Sequence, residues 1–223
     1  MLKNNRHIHD LARRVAVATT VILLSACASG PPREDGPFRE PDLVELVSVD
    51  PTIHLDIRYA TANNFIGQPV YRHAAAFLQR PAAEALVRVS ASLREMGYGL
   101  VVYDSYRPWS VTKLFWDLTP PEKRDFVADP KNGSRHNRGC AVDLSLYDLT
   151  TGEPITMPSD YDDFSERANP DYEGGAEDQR HHRDLLREVM ESEGFTVYKY
   201  EWWHFDFRGW REYSIQDVPF DEL

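Results

Sequence analysis

Apolar and polar positions along the chain alternate between two periods. Leu43 to Val49 reads as a strand, and Ile53 to Tyr59 alternates as a second strand or extended segment. Residues 60–72, with Asn63-Asn64 and Gly67-Gln68-Pro69, read as loop. A helix is predicted from Pro81, a residue tolerated in a first turn, to Met96, with Gly97 ending it. Leu86, Val89 and Leu93 are spaced to form its buried face. Gly99 to Tyr103 is a short apolar strand, and Trp109 to Leu118 a short helix. Residues 119–135 are polar and loop-like, and Ala141 to Leu146 is a strand. Residues 148–180, rich in Asp, Gly, Pro and Ser, predict a long loop; such a loop is functional or disordered. His181 to Glu193 reads as a helix closed by Gly194, and Val197 to Phe207 as one aromatic-rich strand. Without regular βαβ alternation, this mixture predicts an α+β single domain, a mainly antiparallel sheet with flanking helices.

The N-terminus follows a different pattern. Lys3, Arg6, Arg13 and Arg14 form a basic region, followed by an apolar run from Val15 to Leu24. That run is shorter than the roughly 20 residues a membrane span needs. It ends in Leu24-Ser25-Ala26-Cys27, which resembles the lipobox of bacterial lipoproteins. Residues 1–26 therefore read as a lipoprotein signal peptide, with Cys27 as the lipidated residue. An ordinary signal peptide with an incidental cysteine is the alternative. Residues 27–42, with Pro31-Pro32, Gly36-Pro37 and Pro41, read as a tether that buries little, and the domain as residues 43–223. This reading places the protein outside the cytoplasm, on the periplasmic side and lipid-anchored to a bacterial membrane.

Composition narrows the function. Apolar residues are 42% and charged residues 27%, ordinary for a globular domain. The net charge of -11 gives no attraction for a phosphate backbone, so no nucleic-acid partner is expected. With Cys27 lipidated, Cys140 stands alone, and the fold must rest on its core.

Two segments carry candidate chemistry: Ser134-Arg-His136-Asn-Arg-Gly139-Cys-Ala141-Val-Asp143 and Glu201-Trp-Trp-His204. Hydrolytic zinc sites take three ligands from His, Asp and Glu and leave a position for water. His136, Asp143 and His204 supply such a set, and Glu201 a carboxylate to take the water's proton. Both pairs are separated by an odd number of residues, seven and three. A straight strand would turn the members of each pair to opposite faces. The first pair has Arg138-Gly139 between its members, where a turn can correct this. The second needs a strand end, a bulge or strong twist. Spacing is thus permissive: Glu201 to His204 also fits an edge strand, and His136 a turn cap.

Ser-x-His-x-x-Gly-x-Ala-x-Asp followed by Glu-x-x-His is similar to the signature of zinc peptidases that act on cell-wall peptides. Asp56-Ile-Arg-Tyr59-Ala-Thr-Ala-Asn-Asn64-Phe-Ile-Gly67, Gly97 to Pro108, Leu146 to Glu153 and Met157 to Phe164 resemble further motifs of the D-alanyl-D-alanine dipeptidase family, the zinc dipeptidases of the vancomycin-resistance type. The resemblance spans roughly residues 43 to 210. It implies hydrolysis of D-alanyl-D-alanine by a zinc-bound water, with one Zn²⁺ per chain. By this resemblance His136, Asp143 and His204 are the ligands, Glu201 the base and Arg107 the residue that stabilises the oxyanion. Tyr59, Ser134 and Asp162 would line the dipeptide pocket, Asp162 receiving the substrate's ammonium and Ser134 its carboxylate. Two rivals stay open: a D,D-carboxypeptidase or endopeptidase on longer peptidoglycan peptides, and a non-catalytic wall-binding lipoprotein. Cys140 reads as a small buried residue or, less simply, as a group near the metal. His54 and His73 have no visible partner.

Overall fold

The computed structural model describes residues 30–223. The leader read over residues 1–26 and Cys27 lie outside the described residues. Eleven regular elements follow in chain order: β1 (Leu43–Glu45), α1 (Leu46–Val49), β2 (His54–Leu55), β3 (Phe77–Gln79), α2 (Arg80–Glu95), β4 (Tyr98–Asp104), α3 (Trp109–Leu118), β5 (Ala141–Asp148), α4 (Glu177–Ser192), β6 (Phe195–Tyr198) and β7 (Glu201–Phe207). Among the described residues, no helix is long and apolar enough to cross a membrane.

Five strands form one sheet in the order β2-β4-β5-β7-β6, and β1 pairs with β3 in a small separate ladder. The β2–β4 pair is parallel and the other sheet neighbours are antiparallel. The domain is α+β with a mainly antiparallel sheet, as its pattern predicts. Cross-strand partners share a face. Val102 faces Leu144, Leu100 faces Leu146 and Val142 faces Phe205, giving one wholly apolar face. These residues join Leu86, Val89 and Leu93 of α2 and Leu186, Val189 and Met190 of α4 in a single core. The opposite face carries Asp104, Asp143 and His204 side by side on β4, β5 and β7.

Local outcomes depart from the sequence pattern in five places. Leu43–Val49 is strand only to Glu45 and then turns into α1, whose Leu46 is fully buried. The segment 53–59 keeps only two strand residues before a 3₁₀ turn at Arg58–Ala60 puts Tyr59 inside the core. β3 falls between the loop read over 60–72 and the helix read from Pro81, in a stretch for which the pattern predicts no element. Helix α4 starts at Glu177, four residues before His181, because Glu177 and Asp178 suit a helix N-terminus. The single strand read over 197–207 is a hairpin that turns at Lys199-Tyr200. The two glycines that end α2 and α4, Gly97 and Gly194, have φ of 90° and 89°, the left-handed conformation expected just past a helix.

The described part of the supposed tether lies against the domain. Glu34 pairs with Arg138 and accepts the Ile215 N–H at 2.7 Å, and Arg39 pairs with Glu212 at 2.6 Å. The Arg138 side chain is buried, its guanidinium lies over the Trp210 ring and donates to the Tyr213 carbonyl, and Glu34 supplies its counter-charge.

Candidate metal centre

Two irregularities bring the four chemical residues to one side of the sheet. The first is the turn before β5. His136 lies in a 3₁₀ turn, His136–Arg138, ended by Gly139 at φ 66°. A Cβ at Gly139 would sit 2.4 Å from Leu43 Cδ2 and 3.3 Å from the Gln79 N, so both the backbone angle and the space call for glycine. The second irregularity is in the β6–β7 hairpin. Val197 pairs with Phe205, yet the next residue, Tyr198, pairs with Glu201. Trp202, Trp203 and His204 have no partner on β6, and this wide bulge turns Glu201 and His204 to the same side. The odd spacings in the sequence are corrected at these two points.

His136 Nε2, Asp143 Oδ1 and His204 Nδ1 converge. The two nitrogens are 3.1 Å apart, and the carboxylate oxygen is 3.4 Å from the first and 3.0 Å from the second. Tetrahedral zinc with bonds near 2.05 Å separates its ligand atoms by about 3.3 Å, so this triangle has the right size. Asp143 Oδ1 is buried and has no hydrogen-bond donor, which suits an atom meant for a cation. The nitrogen and oxygen donors are also those that zinc takes in hydrolytic sites. Each ligand is fixed from behind. The His136 Nδ1–H donates to the Ser105 carbonyl at 2.6 Å, His204 Nε2 lies 3.0 Å from Asp206 Oδ1, and the Tyr161 hydroxyl donates to Asp143 Oδ2 at 2.9 Å. Such outer contacts set the tautomer and aim the ligand atom inward.

Among the protein's own groups, the charges of the triad stabilise one another. Burial opposes ionisation of Asp143, but His136 and His204 outweigh it and hold the carboxyl well below its usual range. Burial likewise opposes charge on His204, and Asp143 and Asp206 overcome it and raise its pKa. A metal must displace that proton to bind, so affinity falls in acid.

Glu201 stands beside the triad, its Oε2 3.8 Å from His204 Nδ1. Burial, with the Asp143 charge added, pushes its carboxyl up to about 7 against the pull of His204 and Arg107. A carboxylate so poised can both take and return a proton near neutral pH. Arg107 reaches the site from the loop after β4. Asp104 holds it through Nε at 2.8 Å and Nη2 at 2.6 Å, and Nη2 is 3.9 Å from Asp143 Oδ2. Its guanidinium lies over the Phe115 and Tyr59 rings, which keep water off it. Asn137 ties this loop to the metal turn by donating to the Arg107 carbonyl and to Thr112 Oγ1, both at 2.8 Å.

The site opens into a cleft of about 750 Å³ lined by Tyr59, Arg107, Ser134, Asp162, Glu201 and the three ligand residues, so all eight residues singled out in the sequence meet there. The Tyr59 hydroxyl donates to Asp162 at 3.1 Å. Asp162 has φ 59°, the one positive value at a non-glycine among the described residues. Burial, then the charges of Asp143 and Glu201, push its carboxyl up to about 8. Ser134 Oγ accepts the His136 N–H at 3.2 Å, which leaves its hydroxyl proton free for a ligand. Cys140 is buried, belongs to neither the triad nor the cleft lining, and burial pushes its thiol up to about 12. His54 stacks on Tyr147 at 3.9 Å, and His73 is exposed.

Sequence reasoning passed over Asp104, Ser105, Asn137, Tyr161 and Asp206. Only Asp206 carried a usable signal, since it lies two residues beyond His204 on a strand and therefore shares its face.

Three inward-aimed ligand atoms beside a proton-carrying carboxylate and a fixed guanidinium define a metallopeptidase class of site. Sequence comparison narrows the class. Residues 39–218 match the family described as D-ala-D-ala dipeptidase, and the chain belongs to that family. The D-alanyl-D-alanine dipeptidase of Escherichia coli (strain K12) is 32% identical over 165 residues, covering 74% of this chain and 84% of that protein. The Enterococcus faecalis enzyme of the same name is 33% identical over 191 residues, covering 76% and 89%. That of Streptomyces coelicolor is 32% identical over 195 residues, covering 79% and 94%.

Proposed function

We propose that this chain is a zinc-dependent dipeptidase that hydrolyses D-alanyl-D-alanine to two D-alanines. The observation that carries this reading is Asp162, a half-buried carboxylate held by Tyr59 in the same cleft as the ligand triad. A carboxyl there suits a free substrate ammonium, whose positive charge offsets the burial and the neighbouring Asp143 and Glu201 charges that otherwise favour its protonated form, and Ser134, beside His136, offers a donor for the carboxylate. Bound zinc would supply an acidified water and polarise the scissile carbonyl. Glu201 takes the proton of the attacking water and returns it to the leaving amine. Arg107, fixed by Asp104 and shielded by Phe115, stabilises the negative charge that develops on the carbonyl oxygen. The remote ammonium contact orients the dipeptide so that its peptide bond lies between Glu201 and Arg107.

A reading on longer wall peptides draws support from the cleft, which is roomier than two alanyl residues require. Turnover of free D-Ala-D-Ala and of N-acetyl-D-Ala-D-Ala, each with and without a zinc chelator, decides. Chelator-sensitive cleavage of the free dipeptide, with kcat/KM for the acetylated form lower by roughly 10² to 10⁴, is the expected result. Equal cleavage of both hands the assignment to the carboxypeptidase. Binding without turnover leaves only a wall-binding protein, a role that needs neither Glu201 nor Arg107. His136→Ala or His204→Ala should lose zinc and activity together.

The reading extends to export, supported by the basic region, the short apolar run and Leu24-Ser25-Ala26-Cys27. The mature protein would start at Cys27, carry lipid and act on the periplasmic side of a bacterial membrane. Mass analysis of the mature N-terminus tests this; a soluble form starting at another residue refutes it.

A further inference from the structure

A carboxylate that ligates a metal has two oxygens to place. In Asp143 the two are treated differently. Oδ1 faces His136 Nε2 and His204 Nδ1 and has no donor. Oδ2 accepts the Tyr161 hydroxyl at 2.9 Å and has Arg107 Nη2 3.9 Å away. The Tyr161 hydroxyl also lies 3.4 Å from the Tyr59 hydroxyl, which donates to Asp162. Two hydroxyl protons thus serve three contacts, and the two that end on carboxylates take them. The result is a chain of polar groups, Asp143–Tyr161–Tyr59–Asp162, from the triad to the far wall of the cleft, in which each hydroxyl serves its own carboxylate and the middle contact carries no proton.

The backbone and the packing both fix this chain. Tyr161 and Asp162 lie in a turn, and Asp162 takes a positive φ there. Asp162 lines the cleft while Tyr161 lies behind it, buried, touching Asp143 from the rear. Its ring is tilted on Tyr103 at 4.9 Å and edge-on to Trp203 at 5.4 Å and Tyr59 at 6.3 Å. A hydroxyl on so confined a ring has one place to go.

Resting on the reading of the site given above, we infer that Tyr161 is a positioning residue: its hydroxyl occupies Asp143 Oδ2 so that Oδ1 alone faces the metal. Without the hydroxyl, Oδ2 keeps only the distant Arg107. The carboxylate is then free to rotate away from the two imidazoles. The inference concerns metal affinity and does not require Tyr161 to touch a reacting atom.

Tyr161→Phe removes the oxygen and keeps the ring. Tyr103→Phe, in the same aromatic cluster but without contact to Asp143, is the control. Zinc affinity is read by competition with a chromogenic chelator on purified protein, the melting of metal-free forms is recorded, and kcat and KM are measured with D-Ala-D-Ala. Tyr161→Phe should bind zinc roughly 10- to 100-fold more weakly, the usual loss when a ligand's outer partner is removed. At saturating zinc its kcat and KM should return close to those of wild type. Tyr103→Phe should match wild type in both. If phenylalanine fails to fold, Tyr161→Met, which also lacks the donor, should show the same loss of zinc. A folded Tyr161 variant with zinc affinity within about twofold of wild type overturns the inference. Wild type that binds zinc but leaves D-Ala-D-Ala intact sinks the functional reading, while the affinity comparison still decides the role of Tyr161. Wild type that binds no zinc overturns both.

Discussion

Asp206 Oδ1 lies 3.0 Å from His204 Nε2, the nitrogen that faces away from the triad. The two residues share a face of β7, and Asp206 Oδ2 is in turn 3.4 Å from Arg135 Nε. The carboxylate keeps a proton on Nε2 and so leaves the Nδ1 lone pair for a metal. Asp206→Ala should weaken zinc binding about 10- to 100-fold, as read by chelator competition. Asp206→Asn keeps an acceptor and should lose less. Equal affinities in all three proteins would remove Asp206 from the account.

Glu201→Gln separates proton transfer from metal binding. Glu201 is 3.8 Å from His204 Nδ1 and is not needed to complete the triad. The variant should stay folded, hold about one zinc per chain and lose at least ~10²-fold in kcat. Zinc content by elemental analysis, measured with kcat on the same sample, checks this. Near wild-type turnover would exclude Glu201 as the base.

Arg107→Lys retains a charge but loses the fork that Asp104 grips through two nitrogens. The expected outcome is a fall of about 10² in kcat/KM with zinc content unchanged. Asp104 is buried and would keep the Tyr71 hydroxyl at 2.9 Å, so folding should survive. If lysine supports wild-type kcat/KM, the oxyanion role is wrong.

Asp162 sets function against stability. Its carboxyl, pushed up to about 8 mainly by burial, lies above the ordinary value of about 3.9 in an unfolded chain. The folded state therefore favours the protonated form. That contribution is fully present below about pH 4 and is lost as pH rises through about 8. Metal-free Asp162→Asn should consequently melt higher than wild type at pH 8 and alike near pH 4. Activity should move the other way, with kcat/KM for the free dipeptide down and the gap to the acetylated substrate narrowed. Thermal melts at the two pH values and kinetics on both substrates test the pair of effects. A variant that melts lower at pH 8 contradicts the buried-charge argument.

Several features of this protein are fixed by local pattern and follow from the sequence alone. Helix α3 falls where its apolar period places it, and α2 ends before a glycine because φ near 90° excludes most side chains. Ser134 to Asp143 and Glu201 to His204 name the chemistry, since the donor types a hydrolytic metal accepts are few. What tertiary structure decided is direction and company. Strand alternation alone sends Glu201 and His204 apart; only the stretch Trp202 to His204 that β6 leaves without partners, visible once β7 lies between β5 and β6, turns them together. The loop from 148 to 180 gave no register of its own, because a left-handed residue at Asp162 and a hydroxyl meeting Asp143 from 18 residues away leave no periodic trace. The described part of the N-terminal stretch lacked any apolar pattern and still docks, since Glu34 answers a buried guanidinium 104 residues away. A pairwise charge at that separation is set by the folded chain and not by any local period.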